Sequence, residues 1–297
     1  MIRTAIIAAM SGELKPLVQK SVGDWRHERR HGVDLWRWAF DTGEWVAACA
    51  GAGQNAATRA LAEVEKDGPV ASVLSVGWAG ALGDSYVPGQ AYRVAGVVDT
   101  LSGERFRVAR VSAAPSMKTI PLGLKPGRSS SASVGTSEAV PFQSSPSVEA
   151  VPLQGSDSTQ AAPAQHDVWL ATSPRVADAA EKQRLAASYC AGLVDMEAAA
   201  IARLAAMRGI SFHCIKGVSD EFGDQLPDFN RFLTREGQFQ TARFTVFALF
   251  HPGYWRALKQ MGENSRKASQ SIAESVLEVL DPQGTVRNRN GYPDHRR

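Results

Sequence analysis

The sequence predicts an α/β fold, on three observations: short apolar runs of strand length recur along the chain, helix-compatible stretches stand between them, and glycines mark several strand ends. Its 297 residues fit one large α/β domain or two modest ones. At 44% hydrophobic and 21% charged, the composition is that of a globular protein with a sizeable core. No apolar stretch approaches the ~20 residues that a membrane-spanning helix needs.

Residues 3–9 are an apolar run of buried-strand length, and after Ser11 and Gly12 a helix-compatible stretch covers 13–20. Between 25 and 50 the pattern alternates, with Trp36, Trp38 and Phe40 on one face and turns at His31-Gly32 and Thr42-Gly43, which predicts a β-meander. Composition makes 56–66 helical up to Gly68-Pro69, and 70–76 is an apolar strand expected to stop at Gly77. Strands at 91–99 and 104–111 make a hairpin around Ser102-Gly103. Patterning then lapses. Residues 112–165 are dense in Ser, Pro, Ala and Gln, with Phe142 the single aromatic, and such a segment buries too little apolar surface to offset its ordering entropy. It reads as a low-complexity insertion. Regular structure resumes with a strand at 168–172, a helix at 177–187, an alanine-rich helix at 193–207 ending at Gly209, and a strand at 210–218. His251 to Trp255 reads as a turn before a last amphipathic helix at 254–280. One domain, 1–280, interrupted at 112–165, is therefore expected, with 281–297 a polar tail.

Net charge is +3, from 33 basic and 30 acidic residues, with no basic stripe of the kind that nucleic-acid binding requires. Cys49, Cys190 and Cys214 lie far apart without a CxxC pair, so neither a disulfide framework nor a thiolate zinc site is indicated. The apolar start is too short for a signal peptide and is followed by Glu13 and Lys15, so a cytoplasmic protein is expected.

In alternating β/α chains, ligands sit beyond the carboxyl ends of the strands. Four such ends carry distinctive residues: Met10-Ser11-Gly12-Glu13, Gly51-Ala52-Gly53, Gly77-Trp78-Ala79-Gly80 and Ser219-Asp220, with Asp195-Met196-Glu197 at the start of the alanine-rich helix. Glycines admit a ligand close to backbone, and carboxylates around that space would divide acid, base and hydroxyl-binding roles. Taken singly, Glu13 and Glu197 read as helix N-terminal carboxylates favoured by the dipole, and Asp220 as a cap. Their shared placement points to a site.

At these residues the chain resembles the nucleoside phosphorylase superfamily, and within it the 5'-methylthioadenosine/S-adenosylhomocysteine nucleosidases. Ile6-Ile7-Ala8-Ala9-Met10 with Glu13 resembles the opening strand and catalytic glutamate, and Val76-Gly77-Trp78-Ala79-Gly80 the middle glycine motif. Val194-Asp195-Met196-Glu197-Ala198 resembles the ribose-binding motif, and Lys216-Gly217-Val218-Ser219-Asp220 the base-binding serine and aspartate. The resemblance implies a three-layer α/β/α sandwich with a mixed central sheet, cleaving a purine N-glycosidic bond through an oxocarbenium-like transition state. It implies Glu13 as base toward water and Asp220 as acid toward N7 of adenine, with Ser219 orienting it. Glu197 would bind the ribose hydroxyls, and Met10, Trp78, Ala79, Gly80, Met196 and Lys216 would complete the substrate site. No metal or cofactor is implied, the partner is a small adenine nucleoside, and the assembly is a homodimer.

Two departures are visible: Trp78 stands where the nucleosidases usually have a serine, and Lys216 where they have an arginine. Val97-Val98-Asp99, Gly103-Glu104-Arg105 and Ala179-Ala180-Glu181-Lys182 also resemble the hopanoid-associated branch of the superfamily, linked to adenine removal from adenosylhopane. Hexameric phosphorylases place arginines after the first strand and in the middle strand. Here those places hold Ser11 to Glu13 and Leu74-Ser75, which favours water over phosphate as the nucleophile. Two further motifs are set aside. His27-Glu28-Arg29-Arg30-His31 matches HExxH, but strand-like flanks and Gly32 indicate a hairpin. Gly51-x-Gly53-x-x-Ala56 resembles a dinucleotide fingerprint without its acidic residue at the next strand end, so a tight turn lining the nucleoside pocket is the better reading.

Overall fold

The structure, a computed structural model, describes residues 2–21, 24–41, 43–109, 168–224 and 226–281. The insertion 112–165 and the tail beyond Asp281 lie outside the described residues. The chain runs β1 (Ile2–Ala8), α1 (Ser11–Lys20), β2 (Arg26–Arg30), β3 (Val33–Phe40), β4 (Gly43–Cys49), α2 (Gln54–Glu65), β5 (Ser72–Ala81), β6 (Ala91–Asp99) and β7 (Arg105–Arg107). Then come β8 (Val168–Thr172), α3 (Ala179–Tyr189), β9 (Leu193–Asp195), α4 (Ala198–Arg208), β10 (Ser211–Asp220), α5 (Thr241–Phe250) and α6 (Trp255–Leu280).

The sheet is mixed. β1 lies parallel between β4 and β5, and the β2-β3-β4 meander extends it antiparallel. Beyond β1 the sheet curls onto itself: β5 pairs with β10, β10 with β6, β6 with β8, β8 with β9, and β9 returns to β5. Strand alternation assigns the two faces of the sheet. Ala5, Ile7, Val46, Ala48 and Val73 pack against Ala57, Ala60 and Leu61 of α2 and Ile201 and Ala205 of α4. Their neighbours Ile6, Ala8, Ala47, Leu74 and Val76 pack against Leu14 and Leu17 of α1 and Ile272, Val276 and Leu277 of α6. The result is the expected sandwich of helices on both faces, with a third cluster, Val98, Ala171 and Val194 against Leu185, under α3.

The structure changes three expectations. β5 does not stop at Gly77 but continues to Ala81, because Gly77 takes φ +139 and keeps its pairing to Lys216. β10 likewise runs through Ser219 to Asp220. The expected helix 193–207 divides: Leu193–Asp195 is a strand between β8 and β5, and the helix starts at Ala198. Three residues are too few to show a period, so pairing partners decide the conformation. Residues 244–250, for which the sequence carries no expectation, lie in α5, which has no buried residue.

The meander forms as read. Trp38 packs with Trp25, Phe40 and Trp45 at centroid distances of 5.1 to 5.8 Å. The HExxH-like run lies on strand β2, where His27 stacks on Trp36, and His31 sits in the turn at φ 49. All three cysteines are free, and burial pushes the Cys49 and Cys214 thiols up to about 12. No described helix is long and apolar enough to cross a membrane.

Candidate active site

The strand ends and the first turns of α1 and α4 surround a cavity of about 800 Å³. Met10, Glu13, Trp78, Ala79, Gly80, Met196, Glu197, Ser219 and Asp220 all line it. Lys216 does not. It is fully buried behind the wall, so its expected contact with substrate is corrected to an indirect role.

Glu13 lies in the first turn of α1 and is 3% exposed. One carboxylate oxygen accepts the main-chain N–H groups of Ala9 (2.8 Å) and Met10 (2.9 Å), the other that of Trp78 (2.8 Å). Burial raises its pKa above the ordinary carboxylate value, while these three amides and Lys216 pull against that shift. Gly77 makes the arrangement possible, since a Cβ there would sit 2.8 Å from Glu13 Oε1.

Glu197 precedes the first turn of α4, where the helix dipole favours an anion. Its Oε1 accepts the Gly53 N–H at 2.7 Å, so the Gly51-Ala52-Gly53 turn after β4 serves the pocket, as expected. Burial, reinforced by the neighbouring Asp195 carboxylate, pushes the Glu197 pKa up to about 7 against the opposing pull of Lys216 and the Gly53 amide.

Lys216, expected at the substrate, instead pairs with Asp195, a pairing that no sequence pattern announces. Asp195 Oδ2 accepts from Lys216 Nζ (2.8 Å) and from the Ala198 N–H (2.9 Å), and its Oδ1 from the Thr172 hydroxyl (2.7 Å). The same hydroxyl accepts the Ala199 N–H at 3.1 Å. Burial alone would lower the Lys216 pKa, but the Asp195 and Glu197 carboxylates reverse this and raise it.

At the opposite end of the wall, the pairing of β10 with β5 slips between Val218 and Asp220. This bulge breaks strict alternation, so the consecutive side chains of Ser219 and Asp220 both face the cavity. The Ser219 hydroxyl donates to Asp220 Oδ1, and Asp220 Oδ2 forms an ion pair with Lys182 of α3. Lys182 is 2% exposed, lines the cavity and also donates to the Glu221 carbonyl. Sequence reading gave it no role, although one signal existed: Lys182 and Leu185 share the buried face of α3 at i,i+3 spacing.

Trp78 fills the space between α1 and α6. Its indole N–H donates to the Ser269 hydroxyl (2.8 Å) and the Ser265 carbonyl (3.0 Å), and its ring edge would lie 3.5 Å from a Cβ on Gly12. Phe229, Leu233, Phe239, Phe244, Leu258 and Met261 give the cavity an apolar stretch of wall, and Lys15, Lys20, Arg175 and Arg266 also line it. Among the described residues no group of His, Cys, Asp and Glu is placed to hold a metal ion.

The family model described as the phosphorylase superfamily matches residues 3–249. No curated protein matches the chain. Among solved structures, the 5'-methylthioadenosine/S-adenosylhomocysteine nucleosidase of Helicobacter pylori aligns with a TM-score of 0.60 at 13% identity, over 95% of this chain and 98% of that one. Futalosine hydrolase from the same organism aligns equally well, with a TM-score of 0.60, 13% identity and the same coverage. The nucleosidase of S. pneumoniae gives 0.59 at 15% identity, over 94% and 98%. At these identities the likeness is one of fold.

Proposed function

The chain belongs to the phosphorylase superfamily, and from that premise we propose that it hydrolyses the N-glycosidic bond of an adenine nucleoside of the methylthioadenosine or adenosylhomocysteine type. The observation that carries this reading is the convergence of Glu13, Glu197 and Asp220 on one cavity, each buried and each held by donors from a different element. Glu13, fixed by three amides, has lone pairs left to take a proton from an attacking water. Glu197 accepts the ribose hydroxyls, and these bonds strengthen as positive charge grows on the sugar. Asp220, steadied by Ser219, passes a proton to N7 of the departing adenine.

Hydrolysis rather than phosphorolysis is supported by charge. Lys182 is engaged by Asp220 and Lys216 by Asp195, and the middle strand carries buried Leu74 and Ser75 where a phosphate would call for arginine, while Lys15, Arg175 and Arg266 line the cavity away from the middle strand's sequence. A phosphate dianion beside Glu13 would meet repulsion that a neutral water does not. The nucleosidase and hydrolase names of the structural relatives point the same way. The apolar stretch of wall favours a second reading of the substrate alone, an adenosine whose 5' substituent is long and apolar, of the adenosylhopane kind.

The test is adenine release in phosphate-free buffer from methylthioadenosine, adenosylhomocysteine and 5'-alkylated adenosines, followed by chromatography. Free ribosyl product is expected. A ribose 1-phosphate derivative as main product, with turnover lost when phosphate is withdrawn, would overturn hydrolysis; no release from any of them would overturn the adenine nucleoside reading.

A further inference from the structure

Glycosidic cleavage leaves the electron pair of the C1'–N9 bond on the purine, which then needs a proton at N7. Asp220 is the acid in the reading above, yet both of its oxygens already accept hydrogen bonds, Oδ1 from the Ser219 hydroxyl and Oδ2 from the Lys182 ammonium. In an ion pair the proton resides on the nitrogen, so the carboxylate has none of its own to give. We propose that Lys182 is the reservoir for that proton and that Asp220 relays it.

The geometry suits a relay. Lys182 is buried, stands in the cavity wall, and is anchored by a second bond to the Glu221 carbonyl, which leaves one of its three N–H groups uncommitted. Gly80 leaves no room between the pair and β5, since a Cβ there would lie 3.0 Å from Asp220 Oδ2 and 3.1 Å from Lys182 Cε. As the C1'–N9 bond breaks, N7 takes a proton from Asp220 and Asp220 takes one from Lys182 Nζ. The lysine is left as a neutral amine and regains its proton from solvent once adenine departs, while Glu13 returns to solvent the proton it took from water. Lys182 acts through Asp220 and is a positioning residue rather than one that touches substrate.

This inference rests on the nucleosidase reading, and the experiment separates the two. Adenine release from methylthioadenosine is compared with p-nitrophenolate release from p-nitrophenyl ribofuranoside, whose leaving group needs no proton. Lys182→Met should lower kcat/KM on the adenine nucleoside by roughly 10², within the range for acid-base groups, and change the riboside by less than about threefold. Lys182→Arg keeps the positive charge beside Asp220 but should not recover the rate, because a guanidinium does not give up its proton. Because the variant strands a buried carboxylate, Lys182→Met is also made on Asp220→Asn, where both charges are gone; there it should cost nothing further, as expected of groups acting as a unit. Equal losses on both substrates, no loss on the nucleoside, or additive effects in the double variant would overturn the relay. A wild-type protein inactive on every nucleoside would instead overturn the nucleosidase reading and the relay with it.

Discussion

Removing the ammonium behind the wall should cost both stability and activity. In Lys216→Met the side-chain volume is nearly kept, so the change is one of charge. Lys216 is fully buried, 2.8 Å from Asp195 Oδ2. Losing one partner of such a buried pair typically destabilises by about 3–5 kcal/mol, because the remaining charge has no water to turn to. Asp195 keeps the Thr172 hydroxyl and the Ala198 amide, which places the expectation at the lower end. For a chain of this size about 3 kcal/mol corresponds to a fall in Tm of roughly 6–10 °C. The second consequence is catalytic. Glu197, with a pKa near 7, must be ionised to accept the ribose hydroxyls, so wild-type kcat/KM should fall below pH 7, with only ~10% of Glu197 ionised at pH 6. Lys216 is one of the groups opposing that upward shift, so without it the acid limb moves to higher pH. Differential scanning fluorimetry and a pH profile from 5.5 to 9 check both effects, with Lys216→Arg as the charge-conserving control. An unchanged Tm together with an unmoved acid limb would refute the role given to the Lys216-Asp195 pair.

Glu13→Gln and Asp220→Asn should each reduce adenine release by roughly 10² to 10⁴ while melting cooperatively; near-wild-type turnover in either would remove it from the acid-base scheme. The folded pKa of Glu197 lies above the unfolded value near 4.5, so the native state binds more protons between the two. Its contribution is therefore fully present below pH 4.5 and is lost as pH rises through about 7. That contribution to the ligand-free protein's stability should fall across that window, and Glu197→Gln should flatten the slope in a pH series of denaturant melts. Gly77→Ala forces a side chain onto φ +139 and a Cβ to within 2.8 Å of Glu13 Oε1. It should cost about 1–3 kcal/mol and at least tenfold in kcat, and a fully active, equally stable variant would show that Glu13 need not sit where it does.

The strands and the three carboxylates were legible because their signals are local. An apolar run of five to ten residues identifies a buried strand, and although each acidic residue taken singly reads as a helix N-terminal carboxylate or a cap, their shared placement at strand and helix ends points to a site. The illegible parts depend on contacts distant in sequence. Leu193 to Asp195 forms a strand because β8 and β5 receive it, which no three-residue pattern can announce. Lys216 reads as a substrate contact because it opens the motif that resembles the base-binding serine and aspartate of the nucleosidases. The strand's alternation instead turns it toward Asp195 behind the wall. Lys182, preceded by Glu181 and followed by Gln183 and Arg184, reads as part of a solvated helix face, and its partner lies 38 positions away. The aromatic wall from Phe229 to Phe244 comes from a stretch with no period at all.

The two buried lysines give the carboxylates different uses. Lys216 neutralises Asp195 and Lys182 neutralises Asp220, so Glu13 and Glu197 line the cavity without a salt-bridge partner among the described residues. Their negative potential is exposed to whatever lies between them. The Trp78 amide that holds Glu13 and the Gly80 position against which Asp220 and Lys182 pack are two residues apart on β5, about 7 Å at the rise of a strand. One end of the cavity therefore favours positive charge and the other carries an ammonium. A nucleoside laid along β5 with its sugar toward Glu13 and its base toward Lys182 would separate charge in the direction the site already stabilises, positive on the ribosyl carbon and negative on the purine. Because these groups are fixed by main-chain amides and buried pairs before substrate arrives, little reorganisation is needed as the bond breaks. On this argument exchanging the ends should fail: a carboxylate at position 182 would oppose the departing base more strongly than a neutral residue there, which makes Lys182→Glu slower than Lys182→Met on the adenine nucleoside. If the two variants, both folded, turned over at the same rate, the charge at that end of the cavity would have no part in the reaction.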